Sequence, residues 1–391
     1  MRLGFYYHVP ALKREGQVFV PGYLGVFLDA LARECEQVVA FLHAPHPGEE
    51  AFLDYPVRAE NLILEGLKRR DRAPLRMLFS ARYTQALQRW KLRLDGMLIR
   101  GPSPLLPAMA KAASPLPVAL LLVGDYLAGV EDLPQPRWRK ELIRLWARWY
   151  GGLQVKTARN SLTFVNSAKL YRELQALVPR LKEVRTTTLT EADFYLREDT
   201  CQAPPYHLLY TGRMDRAKGL FEMVEALALL VSQGEDVVLD LVGWPNPGDP
   251  VVEQLLALAR QRGVGERVRY HGYQPVGPAL FAFYKKADIY LIASKSSEGF
   301  PRTIWEAMAH SLPVVATRVG SIPEFIEGRA ILVPPKSVED LAQAVSLIIE
   351  NSEIRRKIIK GGFQLAKENT LEAQTKKLVN LMKEAWLRMD D

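Results

Sequence analysis

Strand-like and helix-like segments alternate along almost the whole chain, the pattern of doubly wound parallel sheets. Short apolar runs predict strands at Arg2 to His8, Gln37 to His43, Val57 to Leu64, Gly96 to Arg100, Val118 to Gly124, Leu162 to Ser167 and Glu183 to Thr188. Helical stretches separate most of them. After a polar break at Arg197 to Pro205 the pattern restarts, with strands expected at His207 to Arg213, Val237 to Gly243, Val268 to Gly272, Ile289 to Ser294, Pro313 to Thr317 and Ala330 to Val333. Between the first two of these, Leu220, Met223, Val224, Leu227, Leu230 and Val231 share one face at helical spacing, as in a crossover helix packed on a sheet. The expectation is an α/β protein of two Rossmann-like domains, residues 1–196 and 197–370. Residues 371–391 read as a final amphipathic helix packing back on the first domain.

Size agrees with this division, because 391 residues exceed one ordinary core and suggest two domains of roughly 190 residues each. A hydrophobic fraction of 48% and a charged fraction of 25% fit a globular chain. No apolar run approaches the roughly 18 residues of a spanning helix. The start, MRLGFYYHVPAL, lacks the basic, apolar and small-residue regions of a secretory signal, so a cytoplasmic location is expected. Cys35 and Cys201 stand far apart without metal or redox spacing, and two free buried thiols are the expectation.

The net charge of +8 is unevenly placed. Lys68, Arg69, Arg70, Arg72, Arg76, Arg82, Arg89, Lys91 and Arg93 are set against Asp71 alone, and Arg137, Arg139, Lys140, Arg144, Arg148, Lys156 and Arg159 against Glu141 alone. Both stretches interleave bulky apolar residues, among them Leu75, Leu78, Phe79 and Trp90 in one and Trp138, Leu142, Leu145, Trp146 and Trp149 in the other. Three readings stay open. These are ordinary helices with a core face and a solvated basic face, or they dock on an anionic membrane surface or hold a lipid-linked acceptor. Nucleic acid is the third, disfavoured because no recognition motif accompanies the charge.

Open α/β sheets bind ligands beyond the carboxyl ends of their strands. Two such places carry chemistry. In LLYTGRMDRAKG the strand ends at Thr211 and Gly212, and Arg213 and Lys218 stand at either end of a turn that opens a helix. A planar fork and a mobile point charge together can neutralise adjacent phosphates. In SSEGFPRTIWEAMAHSLPVVATRVGSIPE a strand runs through a short loop into a helix starting near Pro301. Its free N–H groups would favour a phosphate oxygen or sugar hydroxyl. Glu298 lies in the loop and Glu306 more than one turn inside the helix, placed to accept from a hexose and from a ribose diol.

The block from Leu208 to about Ala344 resembles the group 1 glycosyltransferases (family 4), retaining enzymes of the GT-B fold, whose two Rossmann-like domains face each other across a cleft. TGRMDRAKG resembles the family's arginine and lysine turn, EGFPRTIWEAMAHSLPVVAT its E-x7-E region and GSIPEFI the loop that follows. The resemblance implies transfer of a hexose from a UDP- or GDP-sugar to an acceptor hydroxyl with retention, the acceptor being lipid-linked or a cell-envelope glycan. It implies that Arg213 and Lys218 bind the donor diphosphate, Glu298 contacts the transferred sugar and Glu306 holds the ribose. Gly299, Phe300 and Thr303 would line the sugar and phosphate site with Gly212. No cofactor beyond the nucleotide sugar is implied, and no Asp-x-Asp pair calls for a metal.

The first half resembles the family more weakly. Pro21-Gly22-Tyr23-Leu24-Gly25 opens a helix where members carry a glycine-rich loop, so Gly22 and Gly25 are either phosphate neighbours or a helix-starting turn. Members often place a histidine where this chain has Asp125, which either orients the acceptor hydroxyl or caps a helix. His8, ending the first strand, is a further candidate beside a structural role. Two other functions stay in play: epimerisation of a nucleotide sugar on the same fold, and non-catalytic binding of membrane or nucleic acid.

Overall fold

The computed structural model describes residues 1–123, 137–166, 168–185, 187–246, 248–295 and 300–387. It divides into two compact units, one of Met1–Thr188 with Leu371–Asp391 and one of Leu189–Thr370. The strands in chain order are β1 Arg2–Pro10, β2 Leu12–Arg14, β3 Gln17–Val20, β4 Gln37–His43, β5 Tyr55–Pro56, β6 Leu62–Leu67, β7 Gly96–Gly101, β8 Val118–Leu122, β9 Leu162–Val165 and β10 Leu181–Glu183 in the first unit. The second holds β11 Tyr206–Thr211, β12 Val237–Val242, β13 Val268–Tyr270, β14 Ile289–Ile292, β15 Val314–Thr317 and β16 Ile331–Val333.

In the first unit the main sheet runs β10-β9-β8-β7-β1-β4-β6, every neighbouring pair parallel. Alternate residues of β1 serve opposite faces: Leu3, Phe5, Tyr7 and Val9 enter one core and Tyr6 the other. A sheet covered on both faces needs apolar residues at successive positions, which is why QVVAFLH carries no polar alternation. The last helix, Leu371–Leu387, packs on this unit with Leu378, Val379, Met382 and Trp386 in its core.

The second unit repeats the design with the order β13-β12-β11-β14-β15-β16, also parallel. Leu208 and Tyr210 face one core and Leu209 the other. The helix Leu220–Ser232 buries Leu220, Met223, Val224, Leu227 and Leu230 against the sheet. Leu189 and Phe194 join a core of this unit, and the Tyr195 N–H donates to the Ala309 carbonyl at 2.9 Å. The segment from Leu189 to Leu196 therefore goes with the second unit, eight residues ahead of the division expected at 196/197.

Three departures from the strand expectations have local causes. β2, β3 and β5 form a small antiparallel sheet that the pattern did not predict. Its hairpin closes at Glu15 and Gly16, both at positive φ (49° and 85°), a two-residue turn whose twist suits paired strands. The expected strand Val57 to Leu64 starts only at Leu62, because the buried Asp29 carboxylate takes the Arg58 and Ala59 N–H groups at 2.9 Å each. The strand expected at Glu183 to Thr188 sits earlier, at Leu181–Glu183; past it the Arg185 N–H donates to Gln374 of the last helix at 2.7 Å. Cys35 and Cys201 are free and buried, and burial pushes both thiols up to about 11.

Candidate active site

In the second sheet β12 and β13 lie to one side of β11 and β14, β15 and β16 to the other, so the strand order reverses between β11 and β14. The crevice at such a point is where open α/β sheets take ligands. The turn after β11 and the segment after β14 meet there. Lys295 donates its N–H to the Ala217 carbonyl at 2.8 Å. Gly219, at φ 71°, lies so close that a Cβ there would overlap the Ala293 carbonyl oxygen.

Arg213 and Lys218 occupy this turn. The half-exposed Arg213 side chain lies 3.5 Å from the Asp215 carboxylate, and its carbonyl accepts from the Tyr210 hydroxyl at 2.8 Å. Asp215 accepts from the Ala217 N–H at 2.9 Å, which starts a single 3-10 turn, Arg216–Lys218. Lys218 thus closes the turn directly before the helix Leu220–Ser232. Gly212 donates its N–H to the Val242 carbonyl at 2.9 Å and sits at φ 145°.

The helix Arg302–Ala309 contributes Thr303 and Glu306. Pro301 is its N-cap rather than its first helical residue. A chain of buried hydroxyls ties this helix to the end of β11. Tyr290 donates to Thr303 Oγ1 at 2.7 Å, and Tyr284 donates to Glu306 Oε2 at 2.8 Å. Since that bond uses the only Tyr284 hydroxyl proton, the Thr211 hydroxyl is the donor in its 2.6 Å contact with Tyr284. Glu306 is 5% exposed, and burial raises its carboxyl above the ordinary glutamate range against the lowering effect of the Tyr284 bond. His310 donates from Nδ1 to the Glu306 carbonyl at 2.7 Å and stacks on Tyr284 at 5.2 Å. Phe300 leans on Trp305 and Phe325, with centroids 4.4 and 5.0 Å away.

Gly212, Arg213, Lys218, Thr303 and Glu306 therefore belong to one end of the second sheet, as the sequence predicted. Thr211, Tyr284 and Tyr290 went unnoticed: the tyrosines lie in apolar runs (FAFYKK, ADIYLI) that read as core, and no spacing marks their hydroxyls. Glu298, Gly299 and Asp125 lie outside the described residues. In the first unit the Gly22 N–H donates to Asp54 at 2.9 Å, and a Cβ at Gly25 would collide with the Tyr55 ring, so Gly25 serves the packing of the helix Gly22–Arg33. His8 is largely buried beside Tyr7, with ring centroids 4.5 Å apart. Among the described residues no group of three or more His, Cys, Asp or Glu could hold a metal ion. No helix among them is long and apolar enough to cross a membrane.

Two doubly wound parallel sheets in series, with a basic turn and a helix start at the second switch point, define a GT-B fold. Residues 197–365 match the family model for glycosyl transferases group 1. A D-inositol 3-phosphate glycosyltransferase from Arthrobacter sp. is 33% identical over 156 residues, 39% of this chain and 36% of that protein. The chain spans less than half the length of the curated relatives it matches. Among solved structures, HepE of Anabaena in complex with UDP aligns over 98% of this chain and 100% of its own, with TM-score 0.71 and 17% identity. A glycosyltransferase from Rickettsia africae aligns over 98% of each chain, with TM-score 0.71 and 17% identity. At such identities the likeness establishes the fold.

Proposed function

We propose that this protein is a glycosyltransferase that moves a hexose from a UDP- or GDP-sugar to an acceptor hydroxyl with retention at the anomeric carbon. The observation that carries this is the meeting of the Arg213/Lys218 turn with the Thr303/Glu306 helix at the second switch point, inside the matched region. The Anabaena neighbour was solved with UDP, which favours a uridine nucleotide.

Breaking the bond between an anomeric carbon and a phosphate puts charge on the departing diphosphate. Arg213, Lys218 and the N–H groups at the start of the helix Arg302–Ala309 are the fixed positive groups to receive it. Removing one such donor costs about 2.7–4 kcal/mol in the transition state, roughly 10²–10³ in rate. In this reading Glu306 takes the ribose diol, Glu298 and Gly299 contact the sugar with Phe300 beside them, and Asp125 orients the acceptor. With cationic side chains on the leaving group, turnover needs no metal.

A panel of UDP- and GDP-sugars tests the proposal through acceptor-dependent release of nucleotide diphosphate, in the presence and absence of chelator. Release lost in Lys218→Ala and Glu298→Ala, with an axial or equatorial product matching the donor by NMR, supports it. Epimerised donor without transfer, or no turnover of any donor, overturns it.

The helix Arg137–Arg159 favours a membrane-proximal acceptor, lipid-linked or a cell-envelope glycan, and a peripheral place on the inner membrane face. Trp138, Leu142, Leu145 and Trp149, spaced on one helical face, are 57–64% exposed, beside Arg139, Lys140 and Arg148. These apolar side chains are turned outward, while Ala147, Tyr150 and Ala158 are buried. Sedimentation with anionic but not neutral vesicles, reduced in Trp138→Ser/Trp149→Ser, is the expected result; indifference to lipid charge refutes this part.

A further inference from the structure

The first sheet has a switch point of its own. β4 and β6 lie to one side of β1, and β7, β8, β9 and β10 to the other, so the order reverses between β1 and β7. Several of the side chains gathered at the carboxyl ends of these strands are basic. His8 stands near the end of β1 and Arg100 in β7, with Arg70 three residues beyond β6 and Arg76 in the short helix Ala73–Leu78. Arg70 Nη1 donates to the His8 carbonyl at 3.2 Å, which fixes the loop after β6 against the end of β1. The Arg100 guanidinium, in a residue 8% exposed, is held 4.8 Å from the Tyr7 ring centroid and 5.5 Å from that of Phe27.

Two of these side chains, His8 and Arg76, carry under-satisfied atoms. Among the described residues, His8 Nδ1 and the Nε and Nη1 atoms of Arg76 are buried and make no hydrogen bond within the protein. Of the acids among the described residues, Glu49 pairs with Arg70 and Asp71 accepts from the Tyr83 hydroxyl at 2.8 Å. A buried donor atom without an acceptor is costly, and ligand oxygens reaching the Nε and Nη1 atoms of the partly exposed Arg76 would relieve that cost. Burial first, then the charges of Arg76, Arg70, His43 and Arg100, pushes His8 down to about 4, so its imidazole is neutral at neutral pH.

We propose that the first unit binds a phosphate group, a monoester or diester carried by the acceptor, at the β1/β7 switch point, through Arg76, Arg70 and Arg100 with His8 beside them. Planar forks at fixed angles match tetrahedral phosphate oxygens, and Arg76 has two donor atoms unused by the protein. Naming the ligand as part of the acceptor rests on the transferase reading; the phosphate site itself rests on the first unit alone.

The full-length protein is titrated with inorganic phosphate while the His8 imidazole, assigned by its loss in His8→Gln, is followed by NMR. Bound phosphate stabilises imidazolium, so the His8 pKa is expected to rise by about one unit or more. Arg76→Gln should weaken phosphate binding roughly tenfold or more, whereas Lys218→Ala, in the other unit, should leave it unchanged. An unmoved His8 in the wild type at saturating phosphate overturns the proposal without reference to any variant, as does loss of the response in Lys218→Ala. Two further probes separate the sources. A response to glycerol 3-phosphate assigns a soluble phosphate ester, and one confined to short-chain phosphatidic acid assigns a lipid headgroup. A phosphate response in a protein that turns over no donor would retain this site and remove the transferase reading.

Discussion

Replacing Tyr284 by Phe removes one hydroxyl from the middle of the buried chain that joins β11 to the helix Arg302–Ala309. Tyr284 is fully buried and donates to Glu306 Oε2 at 2.8 Å. A hydrogen bond to an ionised group contributes about 1.5–3 kcal/mol, and a neutral pair about 0.5–1.5 kcal/mol. The cost therefore depends on the state of Glu306. Burial raises the Glu306 carboxyl in the folded protein, so this group favours folding below the ordinary glutamate range and loses that contribution as pH rises through its raised value. The Tyr284 hydroxyl partly opposes the rise. Without it the folded value climbs further and ionisation at neutral pH becomes more costly. Tyr284→Phe should thus lose about 1 kcal/mol at about pH 4 and about 2–3 kcal/mol at about pH 8. For a unit of this size each kcal/mol moves the melting temperature by about 2–4 °C, so calorimetry should find a loss of roughly 4–12 °C at the higher pH. Tyr290→Phe is the control. It removes the 2.7 Å bond to Thr303 and leaves the bond to Glu306 in place, so its cost should not change with pH. Equal costs of Tyr284→Phe at both pH values would refute the reasoning.

Asp240 accepts from His207 Nδ1 at 2.7 Å and from His271 Nε2 at 2.6 Å. The bond to Asp240 raises His207; burial would raise Asp240, but its two histidine bonds win and lower it. The His207 contribution is complete below the ordinary histidine value and fades as pH rises through the raised one; the Asp240 contribution fades as pH falls through the lowered one. Asp240→Asn should cost about 1–2 kcal/mol near pH 6 and less in alkali, and a pH-independent cost in thermal melts would refute this. Gly219→Ala should destabilise by about 2 kcal/mol or more, since its αL backbone alone costs about 1–2 kcal/mol and the new Cβ must displace the Ala293 carbonyl. Donor affinity should fall with it, because the turn bearing Lys218 has to move; a melting temperature and donor affinity like the parent's would refute the close approach. Arg355, 4% exposed, bonds Asp199 at 2.6 and 3.0 Å and the Ile348 and Ile349 carbonyls at 2.7 and 2.9 Å. Arg355→Met should cost about 3–5 kcal/mol in chemical denaturation, and a loss under about 1 kcal/mol would show the pair to be dispensable.

The sequence by itself determined the class of fold and the neighbourhood of the candidate site. Parallel strands buried on both faces must be continuously apolar, so β4, β12 and β14 were visible as runs, and the crossover helix Leu220–Ser232 as a stripe. Arg213, Lys218, Thr303 and Glu306 were legible because turns and helix starts leave local marks: a glycine where φ is positive, a proline at a cap, cations just past a strand. What only the tertiary structure decided is whatever depends on residues distant along the chain. Asp29 diverts the segment after Val57 from across a gap of about thirty residues, and Trp138 and Leu142 point outward although their pattern is equally that of a core face. Tyr284 and Tyr290 became polar partners rather than core filling, and Arg76 and His8 came to share one switch point, because the strand order brings remote strand ends together. Periodicity reports how a residue is placed on its own element, whereas a buried hydroxyl, carboxylate or guanidinium takes its role from the partner that the fold sets against it.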